Sequence, residues 1–170
     1  MTLRIAAQPR IIVMGPSGCG KTTIARALAR SLHAHFLEGD ELHPAANVEK
    51  MRSGVALDDS DRAPWLDALA GALCAQAGQA VVATCSALKR QYRDRLRADA
   101  GPLVFIQPVV PREVLARRLL ARTGHYMPAS LLDSQLAELE PLASDEPGIQ
   151  LREAETLDLQ IGIIRSRLGL

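Results

Sequence analysis

Ile11-Ile12-Val13-Met14 runs directly into Gly15-Pro16-Ser17-Gly18-Cys19-Gly20-Lys21-Thr22, and this junction decides the fold. The second stretch is the phosphate-loop pattern Gly-x-x-x-x-Gly-Lys-Thr, set behind a strand-like apolar run and ahead of a helix. The helix is predicted from Lys21 by Ile24, Leu28 and Leu32 recurring every four residues, with Ala25 and Ala29 beside them. Gly15, Gly18 and Gly20 allow a tight turn in which successive N–H groups converge. The helix start adds unpaired donors and the positive end of its dipole. The arrangement suits a nucleoside triphosphate: the Lys21 ammonium reaches the β/γ-phosphates and the Thr22 hydroxyl is available to Mg²⁺.

A chain of 170 residues fits one domain with a substantial core. The formal charge of +1 gives no electrostatic footprint for nucleic acid or an anionic membrane, so neither is an expected partner. No apolar run approaches the ~20 residues of a membrane span. The stretch from Met1 to Pro9 lacks the pattern of a signal peptide, so the expected location is the cytoplasm. Cys19, Cys74 and Cys85 form no CxxC pair, which supports neither a disulfide framework nor a zinc site. Lys21, Lys50 and Lys89 are the only lysines in an arginine-rich chain, which marks them as positions where a compact ammonium is wanted.

Strands and helices alternate along the rest of the chain. Further strands are predicted at His35 to Leu37, Ala80 to Thr84, Leu103 to Gln107 and Gly148 to Leu151, the last weakened by Gln150 and Arg152. Helices are predicted over about Arg90 to Ala98, Arg112 to Arg122, and a final stretch with Leu157, Ile161, Ile164 and Leu168 on one face. This pattern gives an α/β/α three-layer fold around a parallel, five-stranded sheet. Between Asp40 and Ala80 lies a charged insertion with a helix around Trp65, Leu69 and Leu73.

Ligands of such sheets gather at the carboxyl ends of the strands, which brings the phosphate loop, then Glu38 and Asp40, then Ser86 and Lys89 to one crevice. Acids in that position hold Mg²⁺ through water or accept the proton of an attacking hydroxyl. Two apart on an extended chain, Glu38 and Asp40 are expected to point the same way; the competing reading is that they cap a helix beginning near Leu42. Cys19, beside a helix N-terminus, is expected to be a reactive thiol if its side chain is exposed.

These residues belong to a longer pattern: Leu37-Glu38-Gly39-Asp40-x-Leu42-His43-Pro44-x-x-Asn47-x-x-Lys50-Met51, Gly54, and Leu57-Asp58-Asp59-x-Asp61-Arg62-x-Pro64-Trp65-Leu66. It continues through Cys85-Ser86-Ala87-Leu88-Lys89, Tyr92-Arg93-Asp94, Arg122-x-Gly124-His125, Leu131-Leu132-x-Ser134-Gln135 and Leu139-Glu140. In order, spacing and identity the chain resembles the bacterial gluconate kinases, P-loop small-molecule kinases related to shikimate and nucleoside monophosphate kinases. The likeness fades beyond Pro147.

The resemblance implies ATP- and Mg²⁺-dependent phosphorylation of D-gluconate by a single kinase domain spanning 1–170, with a homodimer as its assembly. It implies phosphate contacts at Gly15, Ser17, Gly18, Cys19, Gly20, Lys21, Thr22 and Thr23, and an acceptor-binding insertion over about 41–79. By the same resemblance Asp40 contacts the acceptor hydroxyl and His43 the sugar acid. Arg62 is the candidate for the gluconate carboxylate, since a guanidinium binds a carboxylate through two parallel hydrogen bonds. An ion pair with Asp58, Asp59 or Asp61 is its alternative. Ser86 and Lys89 are candidates for the acceptor pocket, with a solvated helix start the alternative for Lys89.

The stretch of about 118–135 reads as a lid. Arg118 and Arg122 lie one turn apart, Gly124 offers a hinge, and Met127-Pro128 stops the helix. Arginines on a closing segment neutralise the γ-phosphoryl charge, the alternative being an ordinary basic helix end. Two rival functions remain open from sequence: a kinase for another small hydroxy acid such as shikimate, and an ATP-binding module that transfers nothing.

Overall fold

The computed structural model describes residues 8–121, 131–152 and 155–170. Its centre is a five-stranded sheet of β1 (Arg10–Val13), β2 (His35–Leu37), β3 (Val81–Thr84), β4 (Val104–Val109) and β5 (Gly148–Arg152), in the order β2-β3-β1-β4-β5 and parallel throughout. Around it lie α1 (Lys21–Leu32), α2 (Ala45–Arg52), α3 (Asp59–Ala75), α4 (Arg90–Ala100), α5 (Arg112–Leu120), α6 (Leu132–Glu138) and α7 (Leu157–Leu168).

Strand alternation separates two cores. Ile12, Met14, Ala83 and Phe105 face α3 and α4, where Trp65, Leu66, Leu69, Leu73, Tyr92 and Leu96 meet them. Ile11, Val13, Val82, Val104 and Ile106 face α1 and α7, against Ile24, Leu28, Ile164 and Leu168. Each such aliphatic side chain contributes roughly 1.5–3 kcal/mol when fully buried. Burial on both faces is why these strands read as continuous apolar runs.

β5 extends to Arg152, one residue beyond the expected end, and is an edge strand with alternating burial. The interrupting Gln150 lies on its exposed face and donates from Nε2 to Gln107 Oε1 at 3.2 Å. Glu38 and Asp40 do not share one extended segment, because Gly39–Leu42 is a 3₁₀ turn. That turn presses on the end of β3 so closely that a Cβ at Gly39 would lie 1.9 Å from the Thr84 carbonyl oxygen. Asp40 caps no helix: it lies inside this turn, and the next helix, α2, has Pro44 at its N-cap.

A buried ion pair ties α4 to the loop before β5. Arg93, fully buried, donates to Glu146 through Nε at 2.8 Å and Nη2 at 2.7 Å, and through Nη1 to the carbonyls of Ala87 at 3.1 Å and Glu140 at 3.1 Å. Burial opposes the charge on Glu146, but its hydrogen bonds from Arg93 and the Ala143 backbone hold its pKa down at about 2. Ala87 is a non-glycine residue at φ 40°, and its carbonyl is one that Arg93 holds. Replacing Arg93 by Met leaves the Glu146 carboxylate buried with Arg97 and the Ala143 N–H as its remaining partners among the described residues. The expected loss is about 3–5 kcal/mol in chemical denaturation; a variant as stable as the parent would show that this pair does not hold the loop.

Candidate active site

β1 lies between β3 and β4, so the chain leaves the sheet at the point where strand order reverses. Met14 N–H donates to Ile106 O at 2.8 Å and Gly15 N–H to Ser86 O at 3.1 Å, which fixes the loop root to both neighbours. Gly15, Gly18 and Gly20 all have positive φ, at 128°, 85° and 94°. A Cβ at Gly18 would approach Leu119 of α5 at 3.3 Å. The Lys21 ammonium is folded back onto the loop, donating to the carbonyls of Gly15 and Pro16 at 3.1 Å each. Thr22 and the exposed Thr23 open α1.

Cys19 differs from expectation. Its side chain is 2 % exposed and packs with Leu115, Leu119 and Leu132, its Sγ 3.9 Å from Met14 O. Burial raises its thiol pKa, outweighing the lowering effect of Lys21. A buried, protonated thiol is a packing residue and not a nucleophile.

Glu38 and Asp40 face different tasks. Thr22 Oγ1 donates to Glu38 Oε2 at 2.9 Å, Thr84 Oγ1 donates to Glu38 Oε1, and Gly39 N–H donates to Thr84 Oγ1 at 3.0 Å. Glu38 is thus pinned beside the first turn of α1, between β2 and β3. The Thr22 hydroxyl and the Glu38 carboxylate offer adjacent oxygens of the kind a hard divalent cation takes. Asp40 instead lines a cleft with Ser17, Lys21, His43, Arg62 and Ser86. Met51, Ala56, Leu57, Trp65 and Leu131 supply its apolar wall, and Ser134 and Gln135 of α6 close one side.

His43 stacks on Trp65, ring centroids 4.1 Å apart, and its Nδ1 is buried without a hydrogen-bond partner. Trp65 Nε1 donates to Gly39 O at 2.7 Å, which fixes the stacking surface. A buried nitrogen without a partner is costly, and a ligand hydroxyl would relieve it.

Arg62 is 6 % exposed and pairs with none of Asp58, Asp59 or Asp61. Asp58 and Asp61 form the capping box of α3, and Asp61 also takes Lys50 at 2.5 Å. Asp59 takes Lys89 Nζ at 2.7 Å and the Tyr92 hydroxyl. Arg62 donates to Tyr92 Oη at 2.8 Å and Glu138 Oε2 at 2.7 Å. Burial opposes its charge, yet these two partners raise its pKa. Lys89 stands outside the cleft wall, pairing with Asp59 and, at 3.7 Å, Glu138. Tyr92 and Glu138 lie 30 and 76 residues from Arg62. No local pattern could have announced them as its supports.

Two further positions bear on the phosphate loop. Arg118 Nη1 of α5 donates to Gly18 O at 3.4 Å. The Ser17 N–H is engaged by Gln135 Oε1 at 2.8 Å. Gln135 closes the quoted Leu131-to-Gln135 stretch, 118 residues from Ser17, and the two meet only through tertiary packing. Arg122, Gly124, Met127 and Pro128 lie outside the described residues.

The family described as an AAA domain matches residues 11–142. A gluconokinase of Gluconobacter oxydans is 52% identical over 156 residues, covering 87% of this chain and 85% of that one. An unliganded sugar kinase structure from Janibacter superimposes with a TM-score of 0.88 at 43% identity, covering 95% of each chain. A gluconokinase structure from Sinorhizobium meliloti gives 0.85 at 40% identity, covering 98% of this chain and 94% of that one.

Burial decides the charge state of His43. Burial lowers its pKa from 6.5 to about 4, with Asp40 opposing and Arg62 assisting. The unfolded chain therefore binds the extra proton between those values. The contribution of this ring to stability is complete above about 6.5 and is lost as pH falls through about 4. Imidazole NMR should show His43 titrating near 4, well apart from an unperturbed ring; a midpoint near 6.5 would mean the ring is solvated and unstacked.

Proposed function

Because the chain belongs to the gluconokinase family, we propose that it transfers the γ-phosphoryl group of ATP to D-gluconate, giving 6-phospho-D-gluconate. One observation carries this reading. The phosphate-loop ammonium of Lys21, the Asp40 carboxylate and the Arg62 guanidinium share one cleft, so nucleotide, nucleophile and carboxylate sites adjoin.

In this reading the amides of Gly18, Cys19, Gly20, Lys21 and Thr22 hold the phosphates, and Thr23 continues the helix start beside them. Lys21 exchanges its two loop carbonyls for β/γ-phosphate oxygens. Arg62 is kept cationic and aimed by Tyr92 and Glu138, leaving further N–H groups for the gluconate carboxylate. Neutral His43 and Ser86 bind hydroxyls of the polyol. Asp40 orients the primary hydroxyl and takes its proton as the bond to phosphorus forms. Arg118, with Arg122, neutralises phosphoryl charge from the lid at 118–135, and residues 41–79 serve as the acceptor-binding insertion.

Thr22 would hold Mg²⁺ directly and Glu38 through water, and the ion would draw charge from the β/γ bridge. The enzyme is expected in the cytoplasm as a homodimer. No described helix is long and apolar enough to cross a membrane.

An acceptor panel with a coupled ADP assay tests the reading. Gluconate-dependent ADP formation is expected; turnover with shikimate instead, or without any acceptor, would replace it. Asp40→Asn should lower kcat/KM in the lower part of the ~10²–10⁴-fold range of a general base, with nucleotide binding intact by direct titration. A variant that keeps more than about a tenth of the activity would exclude that role.

A further inference from the structure

Gln135 sits on α6 with no task in the scheme above. It is 9 % exposed and forms part of the cleft wall with Ser17, Lys21 and Asp40. Its Oε1 accepts the Ser17 backbone N–H at 2.8 Å. A backbone N–H can only donate, so the orientation of the amide is fixed: oxygen on the phosphate loop, NH₂ turned away from it. That NH₂ group has no hydrogen-bond partner among the described residues, and its residue lines the cleft. A side chain held this firmly at one end, with both donors unused at the other, gains when a ligand oxygen arrives.

The position says which oxygen. In the kinase reading Lys21 serves the β/γ-phosphates and Asp40 the acceptor hydroxyl, and the two line one cleft. Gln135, clamped to Ser17, lines the same cleft as both. We propose that Gln135 is a further catalytic residue of this chain: its NH₂ donates to a non-bridging oxygen of the phosphoryl group as that group passes from ATP to the acceptor. Its oxygen meanwhile keeps the amide in register with the phosphate loop. The inference rests on the kinase reading above. A loose transition state spreads charge over those oxygens, and a donor fixed beforehand stabilises it without reorganising. As a neutral group, Gln135 adds this stabilisation without competing with Arg62 for the acceptor carboxylate.

Gln135→Glu separates the two ends of the side chain. The carboxylate keeps an oxygen for the Ser17 N–H and nearly the same shape, but it donates nothing and faces the phosphoryl group with a negative charge. The expected result is a kcat lower by about 10²–10³-fold, the cost of one lost oxyanion donor, with KM for ATP and acceptor within a few-fold and Tm unchanged. The ratio of variant to parent kcat should rise as pH falls toward the ordinary glutamate pKa of about 4.3, because the protonated acid regains a donor. Gln135→Met, similar in size but without donors, should show the kcat loss with no such pH dependence, and it stands in if the glutamate variant fails to fold. Parent-like kcat in either variant would reduce Gln135 to a tether. A raised acceptor KM at unchanged kcat would make it an acceptor contact; either result overturns the proposal. The comparison uses whichever acceptor of the panel the parent enzyme phosphorylates. A failure of gluconate then appears in the parent, and a failure of Gln135 only in its variants.

Discussion

β1 is hydrogen-bonded along both edges, to β3 and to β4, and Ile11, Ile12, Val13 and Met14 are fully buried. The phosphate loop is the continuation of that strand, and its first amide is still tied to Ser86 O. A loop of glycines in left-handed conformations has no stiffness of its own, since glycine gives up more backbone freedom on ordering than any other residue. Its shape is imposed by the immobile strand before it, the helix after it, and Leu119 of α5 packed over Gly18. The converging amides can therefore be present before any ligand arrives.

The same strand ends assemble the rest of the site. Gly39 lets the turn after β2 lie directly on Thr84 at the end of β3, which puts Glu38 beside Thr22 and Asp40 in the cleft. The loop after β3 brings Ser86, and its left-handed Ala87 is retained because Arg93 binds the Ala87 carbonyl from a position with no solvent exposure. An ion pair as buried as Arg93 with Glu146 is a costly way to gain stability. Here it also fixes the main chain around 87–88 and 140, including the Leu88 carbonyl 3.3 Å from Arg93.

Electrostatics divides the cleft. Arg62 is held charged by two hydrogen-bonded partners, whereas His43 is held neutral by burial against Trp65. One part of the cleft thus carries a cation and another a neutral ring. Asp59, Tyr92, Arg62, Glu138 and Lys89 form a connected polar set across α3, α4 and α6, so the orientation of Arg62 depends on three helices at once.

The resemblance to gluconate kinases supplied His43 and Arg62, whereas sequence alone determined the parallel sheet, the phosphate loop with Lys21 and Thr22, and the presence of Asp40 and Ser86 near one crevice. These follow from local rules: apolar runs buried on two faces, helical periodicity, and chemistry placed just after strands. Gln150 weakened the reading of β5 because an edge strand exposes alternate residues, which breaks the run that identifies an interior strand. Tertiary structure alone decided what partners those residues have. It buried Cys19 under α5 and α6, sent Arg62 to Tyr92 and Glu138 instead of the nearby aspartates, drew Lys89 out of the cleft wall to Asp59, and set Gln135 on Ser17. The aspartates beside Arg62 were already engaged by the α3 cap, Lys50 and Lys89. Competition of that kind is settled by which surfaces the folded helices bring together, and sequence spacing carries no record of it.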